Sequence, residues 1–445
     1  MTLTRNRREQ RFLHVGAVRP GHGPMRILHA YNQHRGGGGA DNAARATIDI
    51  ARAHGHEVEV FTRNSEDLPT TLRGRWLAGT SAIYAPESVR LFDALLADFN
   101  PDLVHIHEVF PLVSPWILPR CSERRVPVVM TIVDYRLTCP VGTHLRDGAP
   151  CHKCTRGREH WVVLKNCRQN LAESVMVGLY NTIVRRFSLF HTHVTRFIAP
   201  SEFTLRWMVE NAGVDPARIT SISPLVEIPD HGVDPAFGQY VGYAGRFSPE
   251  KGIDTLVEAG RMCGIPVRLS RNKHGLLKVA VPADVEVVVT SGRDDLADFY
   301  RGARMLVVPS VGLETFGLVG AEAMSHGVPV IAARNGALGE LIEDGVNGLL
   351  FEPGNARDLA EKIIRIWGDA ELCRNLGSAG RAKAVGRWGP SSHLAGLMSV
   401  YDEVCRNAGE HVQDAEISSG SDLRPAIPAF QTANRGSAPV RDAAA

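Results

Sequence analysis

Apolar residues in this chain occur in short runs, and longer stretches with helical periodicity separate those runs. Four of the runs, each expected to form a buried strand, begin at Met25, Leu103, Met305 and Val328. Strands that alternate with helices in this way predict a parallel sheet. The alternation occurs on both sides of a segment rich in Pro, Asp and Gly, residues 223–237. The pattern therefore predicts an α/β protein with two Rossmann-like domains.

Changes in composition set the predicted boundaries. Residues 1–24 are rich in Arg, Gly and Pro, and residues 408–445 are poor in large apolar side chains, so both are expected to be disordered. Between them we predict an N-terminal domain at 25–222, a C-terminal domain at 238–387 and a last helix at 388–407. A cysteine-rich insertion in the first domain covers residues 139–167.

Composition argues against several classes of protein. A net charge of +2 over 445 residues does not favour a nucleic-acid-binding surface, so we expect no nucleic-acid partner. No apolar stretch approaches the roughly 18 residues of a membrane span. The basic N-terminus lacks the apolar core of a secretory signal. We therefore expect a cytoplasmic protein whose eight cysteines are mostly reduced.

The region from 307 to 348 has the order strand, glycine loop, helix, strand, which is a βαβ unit. The loop carries Glu314, and the helix begins near Gly317 and carries Glu322. Backbone N–H groups and the helix dipole at such a helix start favour an anion. Carboxylates beside an anion site can accept hydrogen bonds from sugar hydroxyls, so a nucleotide sugar suits both features. The alternative is that Glu314 caps the helix and Glu322 is solvated.

Two further loops predict phosphate contacts. Arg246 and Lys251 follow a strand of the second domain, where two neighbouring cations are costly unless an anion lies between them. In the first domain a glycine run that includes Gly38 and Gly39 opens a helix, and glycine lets a phosphate or sugar approach the backbone. Scattered surface charges and a plain tight turn are the respective alternatives.

The strand that begins at Leu103 carries His105 and His107 on one face, and Glu108 follows them. Doubly wound sheets bind ligands at the carboxyl ends of their strands, which favours acceptor contact by His107 and Glu108. Packing of the histidines beneath a loop explains the pattern equally well.

The insertion contains four cysteines, which are Cys139, Cys151, Cys154 and Cys167. The CHKC pair has the C-x2-C spacing of a zinc knuckle, and the other two could complete a four-thiolate site, with His152 and His160 as spare ligands. Such a zinc would be structural, because four protein ligands leave no open position for chemistry. Free thiols in a lid are the alternative.

The spacing of Glu314, Phe316-Gly317 and Glu322 resembles the donor-site signature of the retaining glycosyltransferases of family 4. Their GT-B architecture has two Rossmann-like domains that face each other across a cleft. The resemblance implies that Glu314 contacts hydroxyls of the transferred sugar. It also implies that Glu322 holds the ribose of the donor.

The resemblance extends to the phosphate contacts. It places Arg246 and Lys251 on the donor diphosphate, and it places a loop like that of Gly38 and Gly39 beneath the same phosphates. The last helix, at 388–407, would cross back to the first domain. Some relatives that act on bacterial surface polysaccharides carry a similar cysteine-rich insertion.

The chain departs from the family pattern at two places. Where relatives have a histidine near the reacting carbon, this chain has Val133, followed by Asp134, which we expect to contact the acceptor instead. Where relatives have a Gly-Asp-Gly turn, residues 271–275 read RNKHG. A non-catalytic protein that binds nucleotide sugars is therefore one alternative function.

The resemblance implies a retaining enzyme that moves a sugar from a nucleoside diphosphate sugar to an acceptor hydroxyl, in surface polysaccharide or glycolipid synthesis. Glu314, Asp134, Arg246 and Lys251 are the predicted catalytic residues, and catalysis would require no cofactor. A dinucleotide-dependent oxidoreductase is the third class. It is disfavoured because no G-x-G-x-x-G fingerprint opens either domain.

Residues 171–197 predict a helix pair in which Arg185, Arg186 and Arg196 lie among Val, Leu and Phe. A solvated basic face is one interpretation, and contact with a membrane surface is the other. The expected partners are the donor, a glycan or lipid-linked acceptor and, on the second interpretation, the inner face of a membrane.

Overall fold

The computed structural model describes residues 23–34, 38–68, 71–273 and 279–418. Most of the predicted leader and the tail beyond Ser418 lie outside these residues, as do parts of the glycine loop and of segment 271–275. The described residues form two six-stranded parallel sheets, one in each half of the chain. The predicted α/β class with two Rossmann-like domains is confirmed.

The first sheet contains the predicted strand from Leu103 at its centre. The strands of this half are β1 (Arg26–Gln33), β2 (Glu57–Asn64), β3 (Leu103–Glu108), β4 (Val128–Thr131), β5 (Leu145–Arg146), β6 (Ala149–Pro150), β7 (Arg196–Ala199) and β8 (Ile219–Ser221). The sheet order is β2-β1-β3-β4-β7-β8, and β5 and β6 form a separate antiparallel pair in the insertion. The order reverses beside β1, which places a topological switch point at the carboxyl ends of β1 and β3.

Helices cover this sheet and build the insertion. They are α1 (Gly39–Ala53), α2 (Leu72–Ile83), α3 (Pro86–Phe99), α4 (Ile117–Glu123), α5 (His160–Leu164), α6 (Leu171–Arg186), α7 (Leu189–His193) and α8 (Glu202–Ala212). Three of them begin at side-chain caps, and in α2 the Thr71 hydroxyl accepts the N–H of Gly74. The Asn170 side chain accepts the N–H of Glu173, and the Ser201 hydroxyl accepts that of Thr204.

The second half repeats the arrangement. Its strands are β9 (Tyr240–Ala244), β10 (Val267–Asn272), β11 (Glu286–Thr290), β12 (Ala303–Val308), β13 (Val330–Ala333) and β14 (Gly348–Phe351), in the order β11-β10-β9-β12-β13-β14. Its helices are α9 (Ile253–Cys263), α10 (Arg293–Gly302), α11 (Leu318–Ser325), α12 (Leu338–Leu341), α13 (Ala356–Gly368), α14 (Ala370–Arg387) and α15 (Pro390–Ser418). None of the described helices is long and apolar enough to cross a membrane.

The last helix, α15, packs on the first domain, although it follows the second in sequence. Leu394, Leu397 and Tyr401 are buried in one cluster with Ile27 and Leu103 of β1 and β3. This packing agrees with the expected crossing back. The helix was predicted to end near residue 407, but it continues to Ser418. Residues 407–418 contain no proline, so no residue there removes a helical N–H donor.

Candidate functional site

Two loops of the second domain, one with Arg246 and Lys251 and one with Glu314, follow adjacent strands and contact each other. One loop follows β9 and the other follows β12, which pairs with β9. The carbonyl of Glu250 accepts the N–H groups of Val311 and Gly312, both at 3.0 Å. At Gly252, which has φ +65°, a Cβ atom would lie 2.0 Å from the carbonyl oxygen of Pro309. Only glycine permits the close contact that brings these loops together.

Lys251 and Glu314 form an ion pair between the two loops. The Lys251 Nζ to Glu314 Oε1 distance is 2.5 Å, and the Ser310 hydroxyl donates to the same oxygen at 2.5 Å. Burial by itself raises the pKa of Glu314, but the Lys251 ammonium and the Ser310 hydroxyl outweigh it, so the pKa falls below its usual value. Glu314 is therefore ionised and positioned beside the cation predicted to bind phosphate.

Arg246 is the more accessible cation of this site. Its side chain is 63% exposed, and its contact with Glu250 is long, at 3.5 Å. The Tyr243 hydroxyl donates to the carbonyl of Arg246 at 2.7 Å and holds the turn in place. The guanidinium is therefore free to move toward an anion near Lys251.

Glu322 lies on α11, and its pKa differs from that of Glu314. Burial raises the pKa of Glu322 to about 7, and the hydrogen bond that its Oε2 accepts from the Tyr300 hydroxyl, at 2.7 Å, offsets only part of this. Near neutral pH this carboxyl therefore exchanges between an acceptor-only form and a form that can donate. Both forms can hydrogen-bond a diol.

Two helix starts from opposite domains meet at the cleft. Gly39 begins α1, Leu318 begins α11, and a Cβ atom on Gly39 would lie 3.7 Å from Leu318 Cδ2. Both N-terminal ends carry partial positive charge. Gly317 has φ +94°, and a Cβ there would lie 2.6 Å from Leu338 Cδ2, so glycine is required at this turn as well.

The first domain also holds the backbone of the loop that carries Glu314. The Tyr135 hydroxyl donates to the carbonyl of Glu314 at 3.1 Å, and Ser201 Oγ donates to that of Thr315 at 2.7 Å. The carbonyl of Thr143, in the insertion, accepts the N–H of Leu313 at 3.2 Å. Tyr135, Thr143 and Ser201 were not predicted as site residues, because each contact joins segments more than a hundred residues apart. The only signal was the position of Ser201 at the end of a strand.

The predicted acceptor residue His107 lies in a buried cluster with His29 and His105. His29 Nδ1 and His107 Nε2 are 3.0 Å apart, and the rings of His105 and His107 are stacked with centroids 4.2 Å apart. Burial lowers the pKa of His107 to about 3, so its imidazole is neutral. Most of the His107 side chain is therefore explained by packing against the other two histidines. It also lines a cavity.

That cavity, of about 130 Å³, lies at the carboxyl ends of β3 and β4. Its wall includes Glu108, Val133, Asp134 and Arg136. Asp134 forms an ion pair with Arg136, which donates to it through Nε at 2.8 Å and through its backbone N–H at 2.9 Å. Burial raises the pKa of Asp134, and the Arg136 guanidinium opposes that rise. Arg136 was missed, although its place two residues after Asp134 would permit this pairing.

The four cysteines of the insertion are neighbours, but they are not gathered tightly. Burial, and then the charges of Cys139, Cys167 and Cys151, raise the pKa of Cys154 to about 12. Burial also raises the pKa of Cys139, and the backbone N–H groups of residues 141–144 oppose that rise. Among the described residues, however, only His29, His105 and His107 bring three metal-ligating atoms within 4.8 Å of one another. Both nitrogens of His105 have partners, Tyr401 and Thr131, so that trio is explained as packing.

Comparisons with known proteins agree with this geometry. Residues 37–228 match the family described as Glycosyltransferase Family 4, and residues 235–383 match the family described as Glycosyl transferases group 1. A crystal structure of the Anabaena protein HepE in complex with UDP and glucose has the same fold, with a TM-score of 0.57 and 20% identity. The match covers 84% of this chain and 99% of HepE.

Two curated relatives show the extent of the sequence similarity. An uncharacterized glycosyltransferase of Methanocaldococcus jannaschii is 36% identical over 38% of this chain, and the match spans 48% of that relative. A phosphatidyl-myo-inositol mannosyltransferase of Mycobacterium leprae is 27% identical over 85% of this chain and 96% of its own length. The two family matches follow one another along the chain and cover the two domains in turn. The chain is thus a member of the family 4, group 1 glycosyltransferases, with the GT-B architecture.

Proposed function

We propose that this protein transfers a sugar from a nucleoside diphosphate sugar to an acceptor hydroxyl, with retention of the anomeric configuration. The observation that carries the proposal is the Lys251–Glu314 ion pair at the start of α11, beside the exposed Arg246. A cation and a carboxylate in one place suit a ligand that carries phosphate and hydroxyl groups together.

The proposed roles follow from the contacts. A diphosphate at the meeting point of α1 and α11 would attract Lys251 and Arg246 and stabilise the leaving group electrostatically. As Lys251 turns toward phosphate, Glu314 is left to accept hydrogen bonds from hydroxyls of the transferred sugar. Glu322 would hold the ribose. The complex of HepE with UDP and glucose supports a donor of this class.

The acceptor would enter from the first domain, near Asp134, His107 and Glu108. The leaving diphosphate is the proposed base for the acceptor proton, so the reaction proceeds on one face of the sugar without a protein nucleophile. A glycan or a lipid-linked acceptor, in surface polysaccharide or glycolipid synthesis, suits this class of reaction. The Mycobacterium leprae relative, named for a phosphatidylinositol acceptor, supports the lipid-linked choice.

The full chain tests the proposal directly. Release of nucleoside diphosphate from UDP-glucose, GDP-mannose and related donors is measured for wild type, Val133→His and Asp134→Ala. We expect wild type to consume at least one donor, Asp134→Ala to be slower and Val133→His to change little. Activity found only in Val133→His would overturn the proposal in favour of a non-catalytic binding protein. NMR of the product anomer tests retention.

We also propose a structural zinc in the insertion, held by Cys139, Cys151, Cys154 and Cys167. The proposal is supported by the environment of Cys154, whose pKa is raised by burial and then by the charges of the other three cysteines, because a divalent cation would stabilise the thiolate form there. With Zn–S bonds of about 2.3 Å, the sulfurs would have to lie closer together than the structure has them. Elemental analysis of untagged protein should find about one zinc per chain. If the protein were folded and active without bound metal, the zinc proposal would be wrong and the four cysteines would be free thiols.

A further inference from the structure

Helix α6 has an exposed apolar stripe. Leu171, Val175 and Leu179 are 59%, 42% and 45% exposed, and they recur every four residues, so they lie on one face of the helix. A surface helix of a soluble protein normally turns such a stripe toward the core. The buried side of α6 consists of other residues, among them Val177, Tyr180 and Val184, so the stripe faces solvent.

Neighbouring side chains extend the stripe into a patch. Leu164, before α6, and Phe187, immediately after it, are also exposed. The Phe187 ring packs on Trp116 at 5.4 Å between centroids, and Trp116 packs edge-on against the exposed Tyr84 at 6.0 Å. We call these residues the α6 patch: Leu164, Leu171, Val175, Leu179, Phe187 and Tyr84. Several large apolar residues exposed on and beside one helix usually mark an interaction site.

The segment around the α6 patch is strongly basic. Residues 151–188 contain seven Lys and Arg residues but only two Glu and no Asp, whereas the whole chain has a net charge of only +2. Lys165 lies between Leu164 and Leu171, and Arg186 precedes Phe187. Two other cations of the segment, Arg168 and Arg185, form ion pairs with Glu173 and Glu159. Basic side chains therefore stand at both ends of the apolar stripe. Apolar residues flanked by cations suit the interface of an anionic bilayer.

The opposite side of α6 forms part of the candidate acceptor site. Tyr180, Asn181 and Val184 are buried on that side and line the cavity that also contains Asp134. Only the thickness of one helix therefore separates the apolar patch from the cavity. A lipid-linked acceptor held in a bilayer against this patch would have its head group close to the acceptor site.

We propose that the α6 patch docks on an anionic lipid bilayer and so brings a membrane-held acceptor to the site. The delivery of an acceptor rests on the proposed transferase function, whereas the docking on a bilayer does not. A second copy of the chain is the less favourable occupant, because two surfaces that are both basic would repel each other. Docking by this patch needs no spanning helix.

Flotation with lipid vesicles tests the docking in the absence of any donor. Full-length protein is mixed with phosphatidylcholine vesicles, with or without phosphatidylglycerol. We expect binding to the anionic vesicles only, and a loss of roughly tenfold or more in Leu171→Gln/Val175→Gln/Leu179→Gln. Arg186→Glu lowers the charge of the patch by two units, and each unit should weaken vesicle binding by about fivefold. Added salt should also weaken binding, because it screens the attraction to anionic lipid. Met262→Gln/Ile364→Gln, at exposed apolar positions of the second domain, is the matched control.

Two results would overturn the docking. One is wild-type protein that stays unbound on anionic vesicles. The other is a stable dimer, seen by light scattering, that the triple variant dissociates, because the α6 patch would then be a contact between copies. Nucleoside diphosphate release from a donor, assayed with a water-soluble acceptor, should be unchanged in the triple variant. That assay separates a failure of docking from a failure of the transferase proposal.

Discussion

The two walls of the proposed site are built in different ways. The proposed donor wall is the pair of second-domain loops that carry Arg246, Lys251 and Glu314, and the proposed acceptor wall is the lining of the first-domain cavity around Asp134. The donor wall consists of two loops after adjacent strands, and the side-chain contacts of Arg246, Lys251 and Glu314 lie within the range 243–322. The first domain adds contacts to the backbone of one loop, from Tyr135, Ser201 and Thr143. The acceptor wall depends on segments far apart in sequence, because the cavity is lined by residues of β3, of the loop after β4, of α6 and of α8, from His107 to Ala212. A site assembled from one local unit leaves a readable motif, and a site assembled by long-range packing does not.

The two walls also differ in charge. The donor wall keeps an exposed guanidinium, Arg246, in addition to its internal Lys251–Glu314 pair. In the acceptor wall, Arg136 is already paired with Asp134 and lies 4.3 Å from the centre of the Phe110 ring. An anionic ligand would therefore be attracted to the donor wall, whereas the acceptor wall suits neutral hydroxyl groups.

The largest expected effect comes from the glycine that joins the donor loops. Gly252→Ala should destabilise the protein by about 2–4 kcal/mol, because it adds a clash with the Pro309 carbonyl to an unfavourable φ. Gly264→Ala is the matched control, since φ there is +66° and no atom lies within 4 Å of the added Cβ. It should cost about 1–2 kcal/mol. Urea unfolding measures both, and equal losses would contradict the role assigned to this loop contact.

The next prediction compares a cation from each wall. Lys251→Met should weaken binding of a nucleotide sugar by roughly ten- to a hundredfold, because a charge-assisted contact is lost and Glu314 loses its partner. Arg136→Met should leave donor affinity nearly unchanged but slow transfer to the acceptor. Arg261→Ala, which breaks an exposed ion pair with Asp284, is the control. If calorimetry showed similar donor affinities for Lys251→Met and wild type, the donor wall would be wrongly assigned.

A smaller effect should appear in the pH dependence of stability. The pKa of Glu322 is about 7 in the folded protein and near 4.5 in the unfolded chain, so the folded state holds this proton more tightly. Its contribution to stability is present below pH 4.5 and is lost as the pH rises through 7. Glu322→Gln should therefore gain about 1–3 kcal/mol relative to wild type between about pH 5 and pH 8. The exposed Glu258→Gln should show no such trend in urea unfolding.

The sequence was sufficient for the fold class and for the strand-loop-helix unit that carries Glu314 and Glu322. Runs of apolar residues marked the central strands, and the spacing of Glu314, Gly317 and Glu322 follows from a single strand-loop-helix unit. The sequence was not sufficient for Tyr135 and Ser201, which hold the donor loop from the other domain, because nothing local in the sequence records a contact between domains. The pairing of Lys251 with Glu314 was missed for a related reason. Each was assigned a ligand separately, and only their adjacency in space shows that they neutralise each other.

The return of α15 to the first domain bears on how the chain folds during synthesis. Tyr401, which is fully buried, closes a cluster with Ile27 and Leu103, so the first sheet lacks part of its core until the ribosome has made the last helix. Each domain is usually complete once its own segment has emerged, and N-terminal domains usually fold first. Here the second domain can bury its own core before α15 exists. The domain translated first would then be the last to become stable, and a chain that ends at residue 389 would combine a folded second domain with an unfinished first one.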